Sequence, residues 1–298
     1  MKSRNHFITT IFKEYLSKAD MDHHRFLQSL GIVLNVKTGH LSYIKNFQPL
    51  KLNFELVFVR HGETYGNCGQ STAKGKIDLS LVNAMTKNTE KRIFQGDVDT
   101  EINQLTDLGR LQAEDAAILL EDELLSHNWV PTIVYYSPLT RAKETGLTFV
   151  NRNNFHEIYV ACNGIREMSF GTWDNQRVCD MTPTNVCHSF YQNQNSLVRN
   201  IDSKTQQPSE SFCDVLKRAY TTLLELNEKH QGGKVVMFSH SMFGAACCIL
   251  LGKGQRIENG NYLAFDGKRS NGEHYTMPHA TPFYLNFEKP VLTKLCRA

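Results

Sequence analysis

Phe54-Glu55-Leu56-Val57-Phe58-Val59-Arg60-His61-Gly62-Glu63-Thr64 decides how the chain is read. The first six residues are β-branched, aromatic or aliphatic apart from Glu55, and the run is too short for a helix, so it predicts a buried strand. The charge and the histidine arrive together at its end. In an open α/β sheet the loops leaving the C-terminal ends of the strands form the ligand crevice, which places Arg60 and His61 at a candidate binding edge.

The same pattern occurs twice more. Residues 131–136 predict a strand that ends on Ser137-Pro138-Leu139-Thr140-Arg141, and Lys234-Val235-Val236-Met237-Phe238 predicts one that ends on Ser239-His240-Ser241. Further strands are expected at 158–161 and 283–287. Residues 106–126 have helical spacing, with Leu108, Leu111, Ala116, Leu119, Leu120 and Leu124 expected on the buried face. Residues 209–230 predict a second amphipathic helix, buried through Phe212, Val215, Leu216, Ala219, Leu223 and Leu226, with Ser211 and Asp214 placed for a capping box. Helical crossovers make successive strands parallel, and parallel strands share one C-terminal edge. Arg60, His61, Arg141 and His240 are therefore expected to meet.

The totals narrow the class. The 298 residues, 41% of them hydrophobic, suffice for one large α/β domain with additions or for two small domains. With 33 basic and 30 acidic residues the net charge is only +3, so no global field favours nucleic acid or a membrane surface. Attraction for an anion has to be local. The eight cysteines form no C-x-x-C pair and show no zinc-site spacing, and several fall in expected core elements. They read as reduced thiols of a cytoplasmic compartment. The opening residues lack a small-residue cleavage site, and no run approaches the ~18 apolar residues of a membrane helix. Export without a cleavable signal is the alternative.

Two arginines and two histidines at one edge select an anion over a metal. Guanidinium groups repel a cation and offer paired donors to phosphoryl oxygens, so a small phosphorylated substrate is the expected partner. The same charges hold a neighbouring imidazole unprotonated, leaving it free to attack phosphorus. Positioned cations supply most of the catalysis in phosphoryl transfer, and a phosphohistidine opened by water needs neither metal nor other cofactor. Gly62 is expected to let backbone and phosphate approach closely. The chain has no G-x-x-x-x-G-K-[ST] loop for nucleotide phosphates.

At this point the residues resemble the histidine phosphatase, or phosphoglycerate mutase-like, superfamily. Arg60-His61-Gly62-Glu63-Thr64 matches its defining motif, Ser137 to Thr145 resembles its second arginine motif, and Phe238-Ser239-His240-Ser241 its second histidine. Gly164-Ile165-Arg166-Glu167 resembles the segment carrying its acid. The similarity runs from about residue 54 to about 287. The resemblance implies a three-layer α/β/α sandwich with a mostly parallel central sheet, formed by residues 54–298 and preceded by an extension over 1–53. It makes His61 the nucleophile, Glu167 the proton donor and acceptor, and Arg60, Asn67, Arg141 and His240 the phosphate ligands. Thr64, Gln95 and Gly96 become candidate substrate contacts, Glu63 a structural residue, and Glu210-Ser211 a helix cap.

The chain also departs from the family. Gly66 stands where many relatives carry tryptophan, and residues 68–93 form a polar insertion whose lysines are candidates for a second phosphate. Residues 7 to about 30 predict helix, and 32–53 mixed strand and loop. Four functions use these residues: phosphomonoester hydrolysis, a phosphoglycerate-type phosphomutase, a noncatalytic phospho-ligand module, and a two-histidine metal hydrolase, which Arg60 and Arg141 oppose. The shorter segment after Glu167 favours hydrolysis. Neither the substrate nor the oligomeric state follows from the sequence.

Overall fold

The computed structural model describes residues 21–70, 93–177, 193–202, 204–257, 262–265 and 277–288, with 186 and 189–190. Its strands are β1 (Ile32–Leu34), β2 (Leu41–Tyr43), β3 (Glu55–Arg60), β4 (Ile133–Tyr136), β5 (Tyr159–Ala161), β6 (Lys234–Ser239), β7 (Gln255–Arg256), β8 (Leu263–Ala264) and β9 (Pro282–Tyr284). The helices are α1 (residues 21–29), α2 (Asp107–Glu123), α3 (Thr140–Asn153), α4 (Phe212–Lys229) and α5 (Ser241–Leu250). The central sheet has the order β5-β4-β6-β3-β9. Its first four strands are parallel, and β9 lies antiparallel on the β3 edge.

Alternation along the strands divides the core in two. Leu56 and Phe58 of β3 join Val235 and Met237 of β6 on one face, whereas Val57 and Val59 join Val236 and Phe238 on the other. Both sets are apolar because helices cover both faces, the condition that turns a parallel strand into a continuous hydrophobic run. α2 and α3 pack on the Val57 face through Ala116, Ala117, Leu120, Phe149 and Val150, and α4 and α5 cover the Phe58 face through Phe212, Val215, Leu216, Phe243 and Ala246. The result is the expected three-layer α/β/α sandwich.

α4 follows its sequence closely: Ser211 is its N-cap, paired with Asp214 in a capping box, and every face residue expected to be buried is buried. α2 does not. Leu111 is 60% exposed and Leu119 41%, while Gly109, Ala113, Ala116, Ala117 and Leu120 are buried. This stripe of small residues has the same helical spacing as the leucines. It wins because the start of α2 presses on backbone: a Cβ at Gly109 would lie 2.0 Å from Glu63 O. Only a face without bulky side chains allows that approach.

The helix expected over 7–30 is seen as α1, and its earlier part lies outside the described residues. β1 and β2 form a second, antiparallel sheet with β8 and β7. Leu27, Ile32, Leu34 and Leu41 enter the same core cluster as Phe212 and Phe243, so the N-terminal portion shares the main core. Cys162, Cys213, Cys247 and Cys248 are free thiols. The lysines of the polar insertion lie outside the described residues. Among the described residues no helix is long and apolar enough to cross a membrane.

Candidate active site

Strand register assembles the site. β3 and β6 pair with Arg60 opposite Ser239, so the next residue on each strand is a histidine. The His61 N–H donates to Ser239 O at 3.0 Å, and the imidazole centroids of His61 and His240 are 5.2 Å apart. β4 pairs with β6 through Tyr136 and Phe238, and the Ser137 N–H donates to Phe238 O at 2.9 Å. That step brings Ser137 Oγ to 2.7 Å from His240 Nε2. Arg141 follows in the first turn of α3. The side chains of Arg60, His61, Ser137, Arg141 and His240 are all buried.

The two imidazoles are held in different states of readiness. His61 Nδ1 lies 2.7 Å from Gly62 O, and a carbonyl only accepts, so the proton sits on Nδ1 and the lone pair on Nε2. Burial, reinforced by Arg141, Arg60, His240 and His279, holds the His61 pKa well below the ordinary imidazole value. Its unprotonated form therefore persists below the usual imidazole range. Burial and the same two arginines also depress His240. Ser137 Oγ accepts from Leu139 N at 3.4 Å and lies 2.7 Å from His240 Nε2, and His240 Nδ1 is buried without a partner among the described residues.

Arg141 is fixed by carbonyls rather than by a partner carboxylate: it donates to Gly96 O at 2.8 Å and Val98 O at 3.0 Å, and its Nε is buried without a partner among the described residues. Burial works against its charge, and Glu167, Asp99, Asp174 and Asp97 support it. Gly96, expected as a substrate contact, serves Arg141 through its carbonyl. It has to be glycine because a Cβ there would lie 2.2 Å from Asp174 Oδ1 and 2.6 Å from Met168 O. Arg60 donates to Met277 O at 3.0 Å.

Glu167, 3% exposed, sits on the N-terminus of α5, where it accepts from Met242 N at 3.1 Å, Ser241 Oγ at 3.1 Å and Met168 N at 2.9 Å. Burial raises its pKa, opposed by the Met168 amide, Arg141, the Met242 amide and Arg60. Desolvation wins. A carboxyl whose proton affinity burial raises, close to two guanidiniums, is suited to general acid work. Arg218 braces this segment by donating to Gly164 O at 2.9 Å and Arg166 O at 2.8 Å, and Glu210 ties Arg218 down at 2.9 Å. Glu210 is thus an ion-pair partner that also accepts from Ser169 N, and only Ser211 caps the helix.

A polar relay continues from the first motif. Thr64 Oγ1 lies 2.8 Å from both Asn67 Oδ1 and Gln95 Oε1, and Gln95 Oε1 also accepts from Asn103 Nδ2 at 3.2 Å. Gln95 Nε2 is buried without a partner among the described residues. Glu63 is fully buried, and its Oε1 accepts from Thr106 Oγ1 at 3.1 Å, a structural contact. Gly62 meets a different neighbour from the one expected: a Cβ there would lie 2.3 Å from Gly109 O, so its missing side chain admits α2 to the strand tip.

Three residues near the site carried no sequence signal of a role. Ser137 lay in view at the tip of β4, but its contact with His240 depends on β4 neighbouring β6. Asp174, half-buried beside Gly96, has its carboxyl pushed up to about 7 by desolvation. His279 lies 5.7 Å from His61, centroid to centroid, and its Nε2 is 3.2 Å from Asn67 Oδ1. It precedes β9, whose antiparallel direction delivers the preceding segment to the edge where the parallel strands end. A strand that reverses direction was the missing clue.

Comparison with known proteins gives a consistent picture. The family model described as "Histidine phosphatase superfamily (branch 1)" matches residues 56–268. A mannitol-1-phosphatase of Eimeria tenella is 32% identical over 284 residues, covering 87% of this chain and 82% of that protein. Phosphoglycerate mutase-like protein 4 of Arabidopsis thaliana is 28% identical over 187 residues, 62% of this chain and 66% of that one. A metal-independent phosphoserine phosphatase of the same plant is 26% identical over 189 residues, 62% and 63% of the two chains.

Proposed function

The chain belongs to the histidine phosphatase superfamily, branch 1, and from that premise we propose that it is a metal-independent phosphomonoester hydrolase whose nucleophile is His61 Nε2. The observation that carries this reading is the His61 Nδ1 bond to Gly62 O, which leaves Nε2 with its lone pair in a buried site shared with two guanidiniums. Arg60, Arg141, the Asn67 amide and His240 Nδ1 hold the phosphoryl oxygens. Nε2 attacks phosphorus as the ester oxygen leaves with the proton of Glu167. The Glu167 carboxylate then takes a proton from water, whose oxygen attacks the phosphohistidine, breaks the N–P bond and releases orthophosphate. Guanidiniums do the charge stabilisation that a metal would otherwise supply. Among the described residues no group of His, Cys, Asp or Glu is arranged to hold a metal ion.

The extent of the match to the Eimeria tenella mannitol-1-phosphatase makes a small phosphorylated polyol or sugar the first substrate class to test. Residues 54–298 form the catalytic domain in this reading, with 1–53 as its extension, and the free thiols suit a cytoplasmic enzyme. The test is orthophosphate release from mannitol 1-phosphate and phosphoserine with chelator present. Wild type is expected to release phosphate stoichiometrically, and His61→Ala to lose roughly 10³-fold or more. Equal slow release by both proteins would end the proposal. Transfer of the phosphoryl group between positions on one molecule, without orthophosphate, would mean a mutase instead.

A further inference from the structure

We propose that His279 is a positioning residue of the phosphate site: by hydrogen-bonding Asn67 Oδ1 it turns the Asn67 amide hydrogens toward the phosphoryl group. The inference rests on the phosphatase reading and assigns a task within it to a side chain outside the sequence motifs.

Asn67 presents two faces, a carbonyl oxygen that only accepts and an amide nitrogen that only donates. A phosphoryl oxygen has use only for the second. Its orientation is set by what surrounds Oδ1. Thr64 Oγ1 lies 2.8 Å from Oδ1, and His279 Nε2 lies 3.2 Å from it. Thr64 Oγ1 is also 2.8 Å from Gln95 Oε1, which accepts from Asn103 Nδ2 as well, so His279 is the contact that bears on Asn67 from outside the first motif. With the His279 proton on Nε2, the tautomer this inference requires, a rotated amide would set N–H against N–H, two donors with nothing between them. The imidazole makes the productive orientation the favoured one.

The segment bearing His279 is built to hold still. Arg60 grips it at both ends: its guanidinium donates to Met277 O at 3.0 Å, and its carbonyl accepts from Ala280 N at 2.9 Å. At the second of these ends Ala280 is buried at φ 43°, in the left-handed region that alanine seldom enters. Thr281 Oγ1 donates to His279 O at 3.0 Å. Strain held by surrounding contacts marks a conformation maintained for use. The residue that grips the segment is itself a phosphate ligand, so the clamp and the site share one frame.

The experiment titrates orthophosphate into the full-length protein, by calorimetry or ³¹P resonance, for wild type, His279→Ala, His279→Gln, Asn67→Ala and the Asn67→Ala/His279→Ala pair, with a thermal melt of each. Gln at 279 carries an amide N–H that can reach Oδ1. His279→Ala should weaken phosphate about 10-fold, the worth of one hydrogen bond to an anion-binding group. His279→Gln should restore most of it. The double variant should bind no more weakly than Asn67→Ala alone. In turnover, KM should rise by the same factor while kcat stays nearly constant. Unchanged phosphate affinity in His279→Ala, losses that add in the double variant, or no recovery with Gln in a folded protein would each overturn the inference while leaving the hydrolase reading intact. Failure of wild type to bind or release phosphate would instead remove that reading and the inference with it.

Discussion

Replacement of Glu167 by Gln separates acid catalysis from everything else the residue does. Gln Oε1 keeps the bonds from Met168 N and Met242 N, and its amide falls where Oε2 meets Ser241 Oγ, a hydroxyl able to turn and accept. Little folding energy is at stake. What is lost is the transferable proton, worth about 10²- to 10⁴-fold, or ~3–5 kcal/mol of barrier. The loss should depend on the leaving group. An alkyl phosphate leaves as a strongly basic alkoxide and should suffer the full effect, whereas an aryl phosphate such as p-nitrophenyl phosphate departs without a proton and should still phosphorylate His61. Water attack then lacks its base, so Glu167→Gln should give a burst of about one equivalent of nitrophenol followed by slow turnover, with phosphohistidine accumulating. Wild-type kcat/KM should be bell-shaped: an acid limb from His61, which burial and two arginines lower, and an alkaline limb from Glu167, which burial raises. The variant should lose the alkaline limb. Equal losses for alkyl and aryl substrates with no burst, or an alkaline limb that survives, would refute the assignment.

Asp174 sets a pH dependence of stability. Its carboxyl rises from the ordinary 3.8 to about 7 in the fold, so between those values the folded chain binds a proton that the unfolded chain has released. Stability is fully present below about pH 4 and declines as pH rises toward 7, by up to about 1.4 kcal/mol per unit; urea denaturation should show this slope in wild type and a flatter one in Asp174→Asn. Gly62→Ala places a methyl 2.3 Å from Gly109 O and should cost about 3 kcal/mol with loss of activity; a variant that melts like wild type would contradict the packing. On α2, Leu111→Gln should shift the thermal midpoint negligibly, since Leu111 faces water, whereas Ala116→Leu in the small-residue stripe should lower it sharply. Chelation should leave the rate of phosphate release unchanged, and its loss with recovery on adding a divalent cation would refute metal independence.

The legible part of this protein followed from periodicity and from repetition. β3, β4 and β6 could be read because a strand covered on both faces is apolar throughout, and the charged tips stood out by contrast. α4 was legible to the residue because its buried face is made of large side chains and its start carries a capping box. α2 misled for the converse reason: its contacts are made by glycine and alanine, and bulkier leucines beside that stripe carry the stronger hydrophobic signal. The site divided along similar lines. Arg60, His61, Arg141, Glu167 and His240 belong to contiguous motifs, whereas His279, which meets Asn67, comes from a separate segment ahead of β9.

From its sequence alone the chain determined which side chains would lie at strand ends and that their combined charge suits an anion, because hydrophobic period and ionisation are properties of local composition. Tertiary structure decided what each group does. Pairing Arg60 with Ser239 set two imidazoles 5.2 Å apart, and one carbonyl 2.7 Å from His61 Nδ1 chose which nitrogen keeps its lone pair. Burial then lowered the proton affinity of both imidazoles and raised that of Glu167. Proton positions depend on neighbours within one hydrogen-bond length and on exclusion of water, and both exist only once distant segments have packed.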